Sequence, residues 1–146
     1  MKREIDDISK RKKFKDDRLG NKKTILDDYT GKRVNKKSID IDHVVPVDEI
    51  NRKFSKLSTE QRKRLANCDE NLVVTKSSIN RSKGCSSNSE YIGRMLDKCD
   101  KVSIEQADRM LEKQIVAEKA IEKKARKMKR ENTVSAAQSL LRKMHK

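Results

Sequence analysis

Through residues 1–28 the apolar positions stand singly or in one pair (Ile5, Ile8, Phe14, Leu19, Ile25-Leu26) among alternating basic and acidic clusters. That spacing predicts one or two weak helices broken near Gly20-Asn21, a basic lead-in. Tyr29-Thr30-Gly31-Lys32 reads as a turn. Ser38-Ile39-Asp40-Ile41-Asp42 then alternates polar and apolar side chains, which predicts a first strand ending near Pro46, since proline cannot donate to a ladder. In the polar stretch that follows, Ser58 and Gln61 have the spacing of a capping box and predict a short basic helix to about residue 67. Asn71-Leu72-Val73-Val74-Thr75 predicts a second strand, and residues 77–83 a brief helix closed by Gly84.

Two further capping pairs, Ser87 with Glu90 and Ser103 with Gln106, open helices. In the second, Ile104, Ala107, Leu111 and Ile115, then Ala117, Ile121, Ala125 and Met128, form a drifting apolar stripe opposite Lys, Arg and Glu. Asn132-Thr133 is a candidate interruption before a last segment with Leu140, Leu141 and Met144. The organisation is an α+β chain: a lead-in over residues 1–28, a core over 29–100 and a basic amphipathic helical extension over 101–146.

Composition changes the picture in two ways. With 33% hydrophobic, 3% aromatic and 42% charged residues, the chain has little apolar material for a large core, so parts of it are solvated helix. The net charge of +15 is concentrated at both ends: 14 basic and 7 acidic residues in 1–37, 11 and 10 in 38–100, and 13 and 6 in 101–146. Two basic flanks around a near-neutral centre repel themselves until a polyanion neutralises them, which points to nucleic acid. Cys68, Cys85 and Cys99 are odd in number and lack CxxC spacing, so neither a disulfide frame nor a zinc knuckle is expected and a reducing, cytoplasmic location is. Runs such as Leu72-Val73-Val74 are far too short for a membrane span.

Of two histidines, His145 lies one residue from the end of the sequence, so imidazole chemistry falls to His43, directly after Asp42. Phosphodiester hydrolysis needs a base to activate water, a cation against developing charge and donors that hold the phosphate. A neutral imidazole and an adjacent carboxylate meet the first two needs. Neighbouring side chains of a flat strand face opposite sides, so the pair shares a site only where the backbone turns or bulges. Asn80, an amide inside a short helix, is the candidate completing oxygen.

The segments Ile39-Asp40-Ile41-Asp42-His43-Val44-Val45-Pro46, Glu70-Asn71-Leu72-Val73-Val74-Thr75 and Asn80-Arg81-Ser82-Lys83-Gly84 resemble, in order and spacing, the HNH endonuclease family. With Tyr29-Thr30-Gly31-Lys32 and Ser89-Glu90-Tyr91-Ile92, the resemblance covers residues 29–92. The nearest variant is the HNH domain of type II CRISPR effector nucleases, whose last motif residue is Asn. The resemblance implies a ββα-metal core with flanking helices, His43 as general base, Asp42 and Asn80 as metal ligands and Asn71 holding the loop and the histidine. It also implies products with a 5′-phosphate and a 3′-hydroxyl; Arg81 and Lys83 are candidates for phosphate contacts on DNA. Asp and Asn oxygens are hard ligands, which favours Mg2+ or Mn2+ over zinc. The sequence departs from the family in lacking a cysteine knuckle and the common glycine pair of the loop, so flanking helices must brace the hairpin. A non-catalytic DNA-binding protein is the alternative, and the C-terminal helix is a candidate surface for a protein partner or self-association.

Overall fold

The computed structural model describes residues 2–98 and 102–145. In chain order its elements are α1 (Lys2–Ile5), α2 (Ile8–Leu19), β1 (Thr24–Leu26), β2 (Arg33–Asn35), β3 (Ile39–His43), α3 (Val47–Lys53), α4 (Thr59–Ala66), β4 (Leu72–Lys76), α5 (Ser77–Lys83), α6 (Asn88–Asp97) and α7 (Ile104–Met144). The fold is therefore α+β as expected, with two small antiparallel sheets, β1-β2 and β3-β4. The boundary expected between residues 100 and 101, and Cys99, lie outside the described residues.

The β3-β4 ladder splits the interior in two. Pairing runs one-to-one from Ile39↔Lys76 to His43↔Leu72, so Ile39 and Ile41 share a face with Leu72 and Val74. That face packs against Leu19, Ile25 and Val34, with Phe14 at its margin. Beyond the strand end, Val44 and Val45 join Ile5, Ile50, Leu65, Tyr91 and the buried residues of α7 in the larger core. The expected bracing by helices is thus provided by α7, which reaches α4 and α6.

Three elements correct the sequence reading. The hairpin β1-β2 was not expected; it is held by Asp27, a buried carboxylate that accepts from the Tyr29 and Thr30 amides at 2.8 and 3.1 Å, from Thr75 Oγ1 at 2.9 Å and from the Lys76 amide at 2.9 Å. Its turn closes on Gly31 at φ 72°, where a Cβ would also stand 2.4 Å from the Arg109 guanidinium carbon. Helix α3 was read as loop. Finally, α7 runs unbroken through Asn132-Thr133. Asn132 exchanges hydrogen bonds with the Gln61 amide at 2.8 and 3.1 Å, and Thr133 Oγ1 donates to the Lys129 carbonyl, so neither side chain competes with the helix.

The buried face of α7 is Met110, Ala117, Ile121, Ala125 and Met128, whereas Ile104, Leu111 and Ile115 are exposed. Of the first half of the expected stripe, Ala107 packs against the core and the other three residues face away from it. Two polar contacts set the rotation: buried Asn88 donates to the Met110 carbonyl at 2.8 Å, and the Ser89 amide donates to Gln114 Oε1 at 2.8 Å. Among the described residues no helix is long and apolar enough to cross a membrane.

Candidate active site

β3 pairs with β4 on one side only, and its chain leaves the ladder directly after His43. A cavity of about 260 Å³ lies at this end, lined among others by Asp6, Arg11, Asp42, His43 and Asn80. Of the turn or bulge expected at Asp42 and His43, the one-to-one ladder shows no bulge, and the chain leaves the ladder directly after His43. Because the strand is both ending and unpaired on its outer edge, side chains from its two faces reach one cavity without a bulge.

Asp42 is buried with its Oδ2 accepting from Tyr29 Oη at 2.6 Å and from Lys83 Nζ at 2.6 Å. Lys83 also donates to the carbonyls of His43 at 2.8 Å and Val44 at 3.2 Å. This corrects the reading of Lys83 as a phosphate contact: at 1% exposure its ammonium is enclosed and its three protons are taken by three acceptors. Burial pulls the Lys83 ammonium below its ordinary range, and the adjacent Asp42 carboxylate opposes that shift. Burial, followed by the negative charge of Asp42, pushes the Tyr29 phenol well up, so it stays a donor. Arg81, by contrast, is exposed, one helical turn past Ser77 on α5.

His43 is oriented by a residue that no local pattern marks. Its Nε2 lies 2.9 Å from Asn67 Oδ1. The Asn67 amide has only one consistent orientation: its Nδ2 donates to the Ile5 carbonyl at 2.7 Å and the Lys63 carbonyl at 2.8 Å, and its Oδ1 accepts from the Asp7 amide. Nε2 of His43 must then carry the proton, and the neutral ring offers Nδ1 as its basic nitrogen. Asp6 Oδ1 lies 3.9 Å from the same Nε2 and is itself paired with Arg11 at 2.8 Å. Burial lowers the His43 pKa from 6.5, with the Asn67 bond and Asp6 acting the other way, so the ring is neutral at pH 7.

Asn71 is fully buried and touches the cavity nowhere. Its Oδ1 accepts from the Val45 amide at 2.7 Å, and its Nδ2 donates to the Val45 carbonyl at 3.1 Å and the Ala66 carbonyl at 2.8 Å. It fastens the segment just past His43 to the residue just before Asn67, which makes it a positioning residue for both partners of the imidazole bond.

Asn80 Nδ2 donates to Asp40 Oδ2 at 3.1 Å, which leaves the amide oxygen as the acceptor end. With Asp42 Oδ1, which takes no hydrogen bond among the described residues, this makes two hard oxygen donors in one cavity. The pair fits Mg2+ or Mn2+, which retain water and phosphate oxygens in their remaining positions. Among the described residues no group of three or more His, Cys, Asp or Glu side chains is arranged to hold a metal.

A buried carboxylate, an oriented neutral imidazole and an amide side chain thus line one cavity of a small basic α+β domain. Residues 2–131 match the model of the C-terminal domain of GmrSD restriction endonucleases, and the chain belongs to that family. Membership makes it a nuclease domain of the restriction-endonuclease type and implies DNA as its substrate. No curated protein and no solved structure matches the chain.

Proposed function

We propose that this domain is an endonuclease of the HNH type that hydrolyses DNA phosphodiester bonds with a hard divalent cation. The observation that carries the reading is the Asn67–His43 bond, which commits Nε2 to donation and leaves a neutral imidazole with one basic nitrogen beside Asp42 and Asn80. In this reading His43 Nδ1 takes a proton from the attacking water. The water oxygen bonds to phosphorus as the bond from phosphorus to the 3′-oxygen breaks, and the departing oxygen takes a proton from solvent water, giving a 5′-phosphate and a 3′-hydroxyl. Asp42 and Asn80 would hold Mg2+ or Mn2+, which would supply positive charge to the phosphate and the leaving oxygen. Asn67 and Asn71 keep the ring in place through the step. Tyr29 and Lys83 keep the Asp42 carboxylate in one orientation.

Purified protein is expected to nick or cut plasmid DNA with Mg2+ or Mn2+, to stop when EDTA is added, and to resume when either ion is restored in excess. Cleavage undiminished by EDTA removes the cation from the reading; DNA binding with no cleavage under either ion supports a non-catalytic DNA-binding protein instead.

The pH dependence follows from the lowered His43 pKa. The acidic limb of the cleavage rate should have its midpoint below 6.5, with the rate flat through neutrality, because the base is deprotonated already. A midpoint above 6.5, measured at saturating DNA and cation, contradicts His43 as the base in this environment.

A further inference from the structure

Helix α2 carries six basic side chains, and four have acidic partners: Lys10 with Asp69 at 3.0 Å, Arg11 with Asp6 at 2.8 Å, Lys13 with Asp17 at 3.3 Å and Arg18 with Asp28 at 2.9 Å. The other two, Lys12 and Lys15, have no ion pair among the described residues. With Ile8 and Arg11 they follow the i, i+3, i+4, i+7 spacing of one helix face. That face and residues Ile39, Asp40 and Ile41 of β3 line a cavity of about 470 Å³. Arg11, Ile41 and Asn80 line both this cavity and the one holding Asp42 and His43, which sets the two side by side as a groove leading to the site.

We propose that this groove carries the strand of substrate DNA flanking the scissile phosphate, with Lys12 and Lys15 each taking a backbone phosphate. The proposal rests on the reading of DNA as the substrate and extends it to a binding track. Three features favour it. Among the described residues every basic side chain of α2 is paired with a carboxylate except Lys12 and Lys15, and both of these line the groove. The one carboxylate lining this cavity, Asp40, is engaged by the Asn80 amide. Ile8, 69% exposed at the outer end of the stripe, offers an apolar surface to a sugar or base where a protein helix would ordinarily present a polar side chain. Lys12 and Lys15 are separated by about 4.5 Å of helix rise, and their flexible stems can adjust to successive phosphates.

The test uses the full chain carrying His43→Ala, so that binding is measured without cleavage, and a fluorescent 20-base-pair duplex titrated over a range of salt. Adding Lys12→Ala and Lys15→Ala together should weaken binding about tenfold at low salt and reduce the slope of log affinity against log salt by about 2, one for each lost phosphate contact. Lys13→Ala, which removes a cation paired with Asp17 on the same helix, should leave the slope unchanged and serves as the control. Thermal melting of each variant confirms folding, which these surface substitutions should preserve. A slope unchanged by the double substitution, an equal change from Lys13→Ala, or no duplex binding by the parent overturns the groove. If the chain with His43 intact cuts DNA while the slope is unchanged, the groove fails and the nuclease reading stands. If the slope falls as expected but no cleavage occurs with Mg2+ or Mn2+, the groove stands and the catalytic reading fails.

Discussion

His43→Ala is expected to lower DNA cleavage by about 10²- to 10⁴-fold, the contribution of a positioned general base, while leaving duplex binding largely intact. The separation follows from where the histidine sits. Its ring is neutral near pH 7, so removing it subtracts no cation from the DNA-facing surface. Its one close side-chain hydrogen-bond partner, Asn67, retains its bonds to Ile5, Lys63 and Asp7, so the loop that held the ring should keep its shape. The measurement is plasmid nicking at saturating cation, compared with duplex affinity for the same protein. A variant that cuts as well as its parent would falsify the assignment of His43; a variant that loses binding and cleavage in equal proportion would instead make it a contact for DNA. Asn67→Leu gives a graded comparison: the ring then has no acceptor to fix its tautomer, so cleavage should fall less than in His43→Ala, and imidazole nitrogen chemical shifts should lose the Nε2-protonated signature. With only His43 and His145 in the chain, those signals are readily assigned.

What was legible in the sequence and what was not divide along sequence distance. β3, β4, α4 and α5 announce themselves through alternation, a capping box and a terminal glycine, all readable within a few residues, and the capping boxes at Ser58 and Ser87 are both formed. The hairpin β1-β2 has three residues per strand, too few for a period of two to stand out, and its hold is Asp27 reaching β4. α3 was obscured by Pro46, read as a strand terminator. The proline also sits at the N-cap, where its fixed φ suits helix entry, and Asp48-Glu49 in the first turn with Arg52-Lys53 in the last were an available signal of favourable charge placement. At the site, Asp42, His43 and Asn80 were singled out by their order and spacing together with the family resemblance, and all three line one cavity. Asn67 and Asp6, 24 and 37 positions from His43, were not legible because only the packing of α1 and α4 brings them to the ring. Lys83 is the instructive error. A lysine in a basic helix reads as solvated charge, yet it lies four residues after Ile79, which packs against the core, so the helix period already placed it toward the interior.

That interior lysine yields the largest expected effect on stability. Lys83→Met keeps the length and apolar stem of the side chain but removes the only cation bonded to Asp42 among the described residues, leaving the buried carboxylate with Tyr29 Oη as its one remaining donor there. It also strips a donor from the carbonyls of His43 and Val44. Desolvating the two charges largely offsets their attraction, as the downward pull on the Lys83 ammonium reflects, so the intact pair contributes little net stability. Removing one member is different, since it leaves an uncompensated buried charge at a cost of about 3–5 kcal/mol. For a chain of this size that corresponds to a fall in Tm of roughly 6–20 °C. The cause can be separated from lost packing by adding Asp42→Asn, because a neutral amide needs no counter-ion and can still accept from Tyr29. The double variant should recover much of the lost Tm, although both proteins should be inactive in cleavage. A Tm unchanged by Lys83→Met means the carboxylate does not depend on its cation. A double variant no more stable than Lys83→Met alone assigns the loss to the two carbonyls and to packing, and takes the charge pair out of the explanation.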